Sequence, residues 1–179
     1  MAACIGCLFL FSCENDVEEV DSQFKKKIGV EEAFNVDAYL SGEGKMKARL
    51  TAPYMLRYQA DSPYIEFPRT LHVDFYDDST LIESTLDALY AKNMEYEKKV
   101  FLRDSVIVIN KFRGDTLRTN ELWWDQGKET FYTDKPVQIN QKTKIIYGVG
   151  MTSKQDFTEW SIFNITRSVA LVPPSGIPQ

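Results

Sequence analysis

One histidine, three cysteines and a scatter of carboxylates are the reactive groups this chain of 179 residues holds. His72 lies in Leu71-His72-Val73-Asp74-Phe75, where apolar and polar residues alternate, and it falls on the polar side. Such a residue is expected to face solvent, not to serve as a base or ligand. A zinc site needs more His or Cys than remain beyond residue 13. A Ser-His-Asp triad would have to use His72, and no Gly-x-Ser-x-Gly turn supplies its nucleophile. Paired carboxylates could hydrolyse a glycoside, but nothing selects one pair from the many Asp and Glu. Gly42-Glu43-Gly44-Lys45 lacks the first glycine of a phosphate loop and is followed by Met46, so a hairpin turn is expected there. Trp123 and Trp124 are neighbours, and adjacent strand residues face opposite ways, so at most one is exposed as a stacking surface. No catalytic residue, metal ligand or cofactor is expected, and the chain reads as a non-enzyme.

Cys4, Cys7 and Cys13 are all the cysteines, so the body of the protein carries no disulfide and must be held by packing and backbone ladders. The net charge of -5 argues against nucleic acid, whose phosphates require a basic face. Residues 1–12 are uncharged and almost wholly apolar. That run is too short to span a bilayer, which takes roughly 20 apolar residues. It has the length of the apolar part of a secretory signal. Leu10-Phe11-Ser12-Cys13, followed at once by Glu14-Asn15-Asp16, resembles the lipobox of bacterial lipoproteins. That resemblance implies removal of residues 1–12 and a lipid on Cys13. The competing reading is a buried apolar strand with a chance cysteine. Residues 13–31, acidic and then basic at Lys25-Lys26-Lys27, read as a flexible tether.

From residue 32 to 170 the chain reads as strand after strand. Leu71 to Phe75 and Pro136-Val137-Gln138-Ile139-Asn140 alternate as half-buried strands do. Val106-Ile107-Val108-Ile109 is apolar on both faces and belongs in a central strand. Turns are signalled at Ser41-Gly42-Glu43-Gly44, Asp61-Ser62-Pro63, Asp77-Asp78-Ser79, Arg113-Gly114-Asp115 and Asp125-Gln126-Gly127. Residues 84–99 fit a helical stripe only in part and read as two strands. Residues 171–179, rich in proline, read as a disordered tail.

The strands also recur. Leu50-Thr51-Ala52 precedes Leu71-His72-Val73; Leu86-Asp87-Ala88 precedes Val106-Ile107-Val108; Leu117-Arg118-Thr119 precedes Val137-Gln138-Ile139; Ile146-Tyr147-Gly148 opens a looser copy. A period of roughly 30 residues signals stacked units that share one apolar interior.

Leu117-Arg-Thr119-Asn-Glu-Leu122-Trp-Trp124-Asp125, then Tyr132-Thr133-Asp134-Lys-Pro136-Val137-Gln-Ile139, then Ile146-Tyr-Gly148, resemble the LptC family of lipopolysaccharide-export components, related to OstA-like proteins. Gly44-Lys45 with Leu50-Thr-Ala52-Pro53, and Glu66-Phe67-Pro68 leading to Leu71 and Val73-Asp-Phe75-Tyr76, fit the same pattern. The resemblance covers nearly all of residues 35–150. It implies an all-β, open β-jellyroll with an apolar groove between its sheets. It implies a periplasmic role: accepting lipopolysaccharide from an inner-membrane ABC transporter and passing it to the next jellyroll of a bridge, of the LptA type. Well-known members hold the membrane with a transmembrane helix; here lipid on Cys13 would replace it, at the periplasmic face of the inner membrane or at the outer membrane.

Such a relay needs apolar lining and free strand edges. Leu71, Val73 and Phe75 share a face by parity, as do Val137 and Ile139, and Val106 and Val108 join them as candidate ligand-lining positions. Edges for β-augmentation are expected around residues 36–50 and 157–169, where proline at Ile162 would test partner docking. A glycan- or protein-binding envelope lipoprotein that moves no lipid is the alternative. It would show a filled sandwich and an exposed aromatic patch.

Overall fold

The computed structural model describes residues 29–42 and 44–171. Among them lie eleven strands and no helix: β1 (Gly29–Gly42), β2 (Lys45–Gln59), β3 (Tyr64–Phe67), β4 (Leu71–Tyr76), β5 (Ile82–Ala88), β6 (Tyr90–Met94), β7 (Lys99–Asn110), β8 (Thr116–Asp125), β9 (Thr130–Asn140), β10 (Lys144–Lys154) and β11 (Trp160–Ala170). The signal-peptide, tether and tail readings of residues 1–28 and 172–179 lie outside the described residues. β1 opens at Gly29, so it takes in the last residues of the stretch read as a tether.

All pairings are antiparallel and form one sheet, in the order β11-β10-β9-β8-β7-β5-β4-β2-β3-β6, with β1 on β2 and β6 returning to β7. That order describes a sheet folded on itself. The first half of β2 pairs β4 and its second half pairs β3. Likewise the second half of β7 pairs β5 and its first half pairs β6. β1, β2 and β7 to β11 therefore run through two facing layers. The positions between β2 and β7 are filled by β4 and β5 in one layer and by β3 and β6 in the other.

A crease separates the layers, and it is marked in the backbone. Asn35, Asp104, Ser105 and Gly150 have positive φ, at 52°, 64°, 53° and 75°. Ladder registers shift between Arg103 and Val106, between Thr119 and Trp123, and between Val149 and Met151. Such bulges bend a strand and strengthen its twist. Where the short strands meet, backbone bonds stitch the crease: Leu89 donates to Asp104 at 3.0 Å and Thr70 to Leu89 at 3.1 Å.

The repeats seen in the sequence are neighbours in the ladder. In the first layer one row runs Ala38, Leu50, Val73, Leu86, Val108, Leu117, Ile139, Ile146, each opposite the next. In the second layer a row runs Ile65, Asn93, Val100, Trp124, Phe131, Ser153, Trp160. The two rows face inward. Phe75 of the first layer meets Trp124 and Phe131 of the second at ring-centroid distances of 5.1 Å and 5.9 Å. The alternation of Leu71 to Phe75 is realised as strict burial of every second residue. All five turn signals fall at strand connections, residues 84–99 form strands and no helix, and β7 is central.

Candidate functional site

The seven sequence-predicted lining residues all join the shared apolar core. Leu71, Val73, Phe75, Val106, Val108, Val137 and Ile139 are at most 4% exposed. Between them the layers are closely packed. At the β1 end they part, leaving an apolar cavity of about 180 Å³. Leu40, Leu50 and Leu71 line it from the first layer; Ile65, Val100 and Trp124 line it from the second. Of the seven, Leu71 alone reaches this space. Leu40, Leu50, Met55 and Ile65 are only partly buried, which places the rim of the cavity near solvent. Sequence parity puts these residues on the inward face but not beside a void, because a void depends on the spacing of two layers and not on one strand.

The far end of the interior is occupied differently. The turn between β10 and β11 folds inward, and Phe157 is fully buried in the core. Ser84 Oγ donates to the Gln155 carbonyl at 2.9 Å, and Asn110 Nδ2 donates to that of Asp156 at 2.8 Å. Trp124 Nε1 donates to Gln155 Oε1 at 2.7 Å from the opposite layer. The turn thus seals the interior beside the middle strands. Nothing in the local sequence of residues 154–159 announces this, since the partners are supplied by strands distant along the chain.

Among the described residues both lateral edges are free: β1 bonds only β2, and β11 bonds only β10. β2, which holds part of the region expected as an edge, is instead paired on both sides. Along β11, Phe163 and Ile165 are each 63% exposed, and along β1 Phe34 is 65% exposed. Edge strands with apolar side chains and no second neighbour are templates for a further strand.

The outer faces are polar or aromatic. Arg49 of β2 makes a bidentate bond to Asp37 of β1, at 2.9 Å and 2.8 Å, and holds that carboxyl below its usual range. His72 lies outward as its parity predicts, with Nδ1 2.7 Å from Asp87 and Nε2 3.1 Å from Asp74. Partial burial pulls its pKa down, but the two carboxylates outweigh that and raise it above the ordinary histidine value. Burial and a bond to Glu66 push the Tyr90 hydroxyl up to about 12. Trp124 is buried, and Trp123 stands outside between Phe101 and Tyr132, at centroid distances of 5.0 Å and 6.2 Å. Among the described residues no cluster of His, Cys, Asp and Glu is placed to hold a metal, and no helix is long and apolar enough to cross a membrane.

An all-β folded sheet with an apolar interior and open edges is the architecture expected of lipopolysaccharide-handling jellyrolls. The family model described as "Lipopolysaccharide-assembly, LptC-related" matches residues 1–165. This chain belongs to the LptC family. No individually curated protein matches it. LptC-family membership carries a role in lipopolysaccharide transport on the periplasmic side of the envelope, in a family of transport components and not of enzymes. The all-β folded sheet is the open β-jellyroll of that family.

Proposed function

We propose that this protein receives lipopolysaccharide from an inner-membrane ABC transporter and passes it to the next β-jellyroll of a periplasmic bridge, held at the membrane by lipid on Cys13. The apolar cavity at the β1 end carries this reading, because it opens between two layers whose inner faces share one mainly apolar core. An acyl chain leaving a bilayer needs such a surface, and each buried methylene is worth about 0.8 kcal/mol. Leu71 and its cavity neighbours meet the chain first. Val73, Phe75, Val106, Val108, Val137 and Ile139 form the lining when the layers part further along. One free edge docks the transporter and the opposite edge docks the bridge protein of the LptA type, each by β-augmentation. No cofactor enters the mechanism, since the energy for transport comes from the transporter's ATP.

Photo-crosslinking tests the proposal. A photoreactive side chain at Leu50 or Leu71 is expected to capture lipopolysaccharide in membranes that carry the whole transport system, and only with ATP. A folded protein that gives no crosslink from either position would overturn the relay and favour an envelope binding module.

A further inference from the structure

The cavity at the β1 end is apolar apart from two amide side chains, Asn93 and Gln126. Asn93 lies on the inward row of the second layer, between Ile65 and Val100 on the neighbouring strands. Its Oδ1 is sealed from solvent and has no hydrogen-bond partner among the described residues. A buried acceptor without a donor costs about 1–3 kcal/mol, so an isolated orphan of this kind calls for a partner or a function. The residues around it supply none as placed: Ile65 and Val100 have no polar side-chain atoms, Trp124 spends its N–H on Gln155, and Gln126, the other amide of the cavity, makes no bond to Oδ1. Ser153 Oγ is the other orphan, further along the same row. It differs in kind, because a hydroxyl can turn to donate or accept, whereas an amide oxygen can only accept.

We infer that Asn93 hydrogen-bonds a hydroxyl group carried on an acyl chain in this cavity, so that the site selects hydroxyacyl chains over plain ones. This rests on the reading of the cavity as a lipid site. A carboxylate or phosphate would offer Oδ1 no proton and would itself be costly to bury here. An unsubstituted chain would leave the acceptor unpaired in an apolar wall. A hydroxyl answers the amide in either orientation of its oxygen and nitrogen, since it both donates and accepts. The selectivity comes from the contrast between a satisfied and an unsatisfied buried group, which discriminates more sharply than added apolar contact does.

Binding of β-hydroxymyristate and of myristate to the full chain tests this, with Asn93→Leu as the variant. Wild type is expected to bind the hydroxylated chain about tenfold more tightly, the effect of one buried hydrogen bond gained against an orphan retained. Asn93→Leu is expected to bind both chains alike, with the plain chain bound no more weakly than by wild type. Asn93→Ala, smaller than the native residue, gives the same comparison should leucine disturb the fold. Equal binding of both chains by wild type, or a preference that survives in the variants, would overturn the role of Asn93 and leave the lipid site standing. Failure of wild type to bind either chain would overturn the lipid reading itself, and this inference with it.

Discussion

Phe75 meets Trp124 edge to face, with ring centroids 5.1 Å apart and planes at 86°, and this contact joins the two layers of the folded sheet. Phe75 is fully buried and also touches Phe131. Replacing it with alanine should cost about 3–5 kcal/mol, the range for a buried aromatic truncated in a core. Urea denaturation of Phe75→Ala against wild type measures the loss. A loss below about 1 kcal/mol would show that the layers do not depend on this contact.

Gly148 sets how closely β11 approaches β10. A Cβ at this position would collide with the Ile162 side chain and come within 2.7 Å of the Asn164 carbonyl oxygen. The second contact is with backbone and cannot be relieved by a rotamer change. Gly148→Ala should destabilise by about 1–3 kcal/mol and loosen β11 in particular. Hydrogen exchange is the direct measurement: amides of β11 should exchange faster in the variant while those of β4 and β5 hold their protection.

His72 makes stability depend on pH. Its folded pKa lies above the ordinary value of about 6.5, so folding favours the protonated ring. The contribution is fully present below about pH 6.5 and is lost as pH rises through the raised pKa. The side chain is 39% exposed, so screening limits the effect to about 0.5 kcal/mol. His72→Gln should flatten this part of the profile of urea midpoint against pH. A slope that persists unchanged in the variant would assign it to other groups.

Phe163 and Ile165 make the β11 edge attractive to another strand. Both are exposed, so changing them to lysine should leave the protein folded. Lysine on an edge strand discourages pairing. The double variant is expected to capture a bridge protein of the LptA type at least about tenfold less well in a pull-down, a loss of about 1.4 kcal/mol. Undiminished capture would move the docking to β1 or away from β-augmentation.

Cys13 is expected to hold the protein at the membrane. Cys13→Ala, made with residues 1–12 replaced by a signal whose cleavage does not need the cysteine, should release it to the soluble periplasmic fraction, because the chain then carries no lipid. Fractionation followed by mass analysis of the N-terminal peptide checks both the location and the lipid. Retention of Cys13→Ala in the membrane fraction would remove the anchor from this residue.

Much of this architecture was legible in short-range patterns. The alternation of residues 71–75 and the apolar run 106–109 reported faces and centrality, because parity is a local property of an extended chain. The recurring triplets signalled stacked units with one shared interior, and in the structure Leu86 opposes Val108 while Leu117 opposes Ile139. The bends were hidden, since Asn35, Asp104 and Ser105 take positive φ without the glycine that usually signals it. For that reason the strands run longer than the turn spacing suggests. The cavity was hidden too. Leu40, Leu50 and Ile65 differ from Val73 or Val108 only in what stands across from them, and that is settled by the distance between layers.

The crease has a mechanical consequence. Since the backbones of β1, β2 and β7 to β11 run through both layers, a body wedged between the layers would not make one slide over the other. It can only widen an angle, and the resistance is that of many bent strands acting side by side. Such resistance is greatest in the middle, where every strand has two neighbours, and least at β1 and β11, where each has one. In the relay proposed above, opening would therefore begin at the margins and spread inward, and a partner strand added at one margin would stiffen it and bias entry of cargo toward the other.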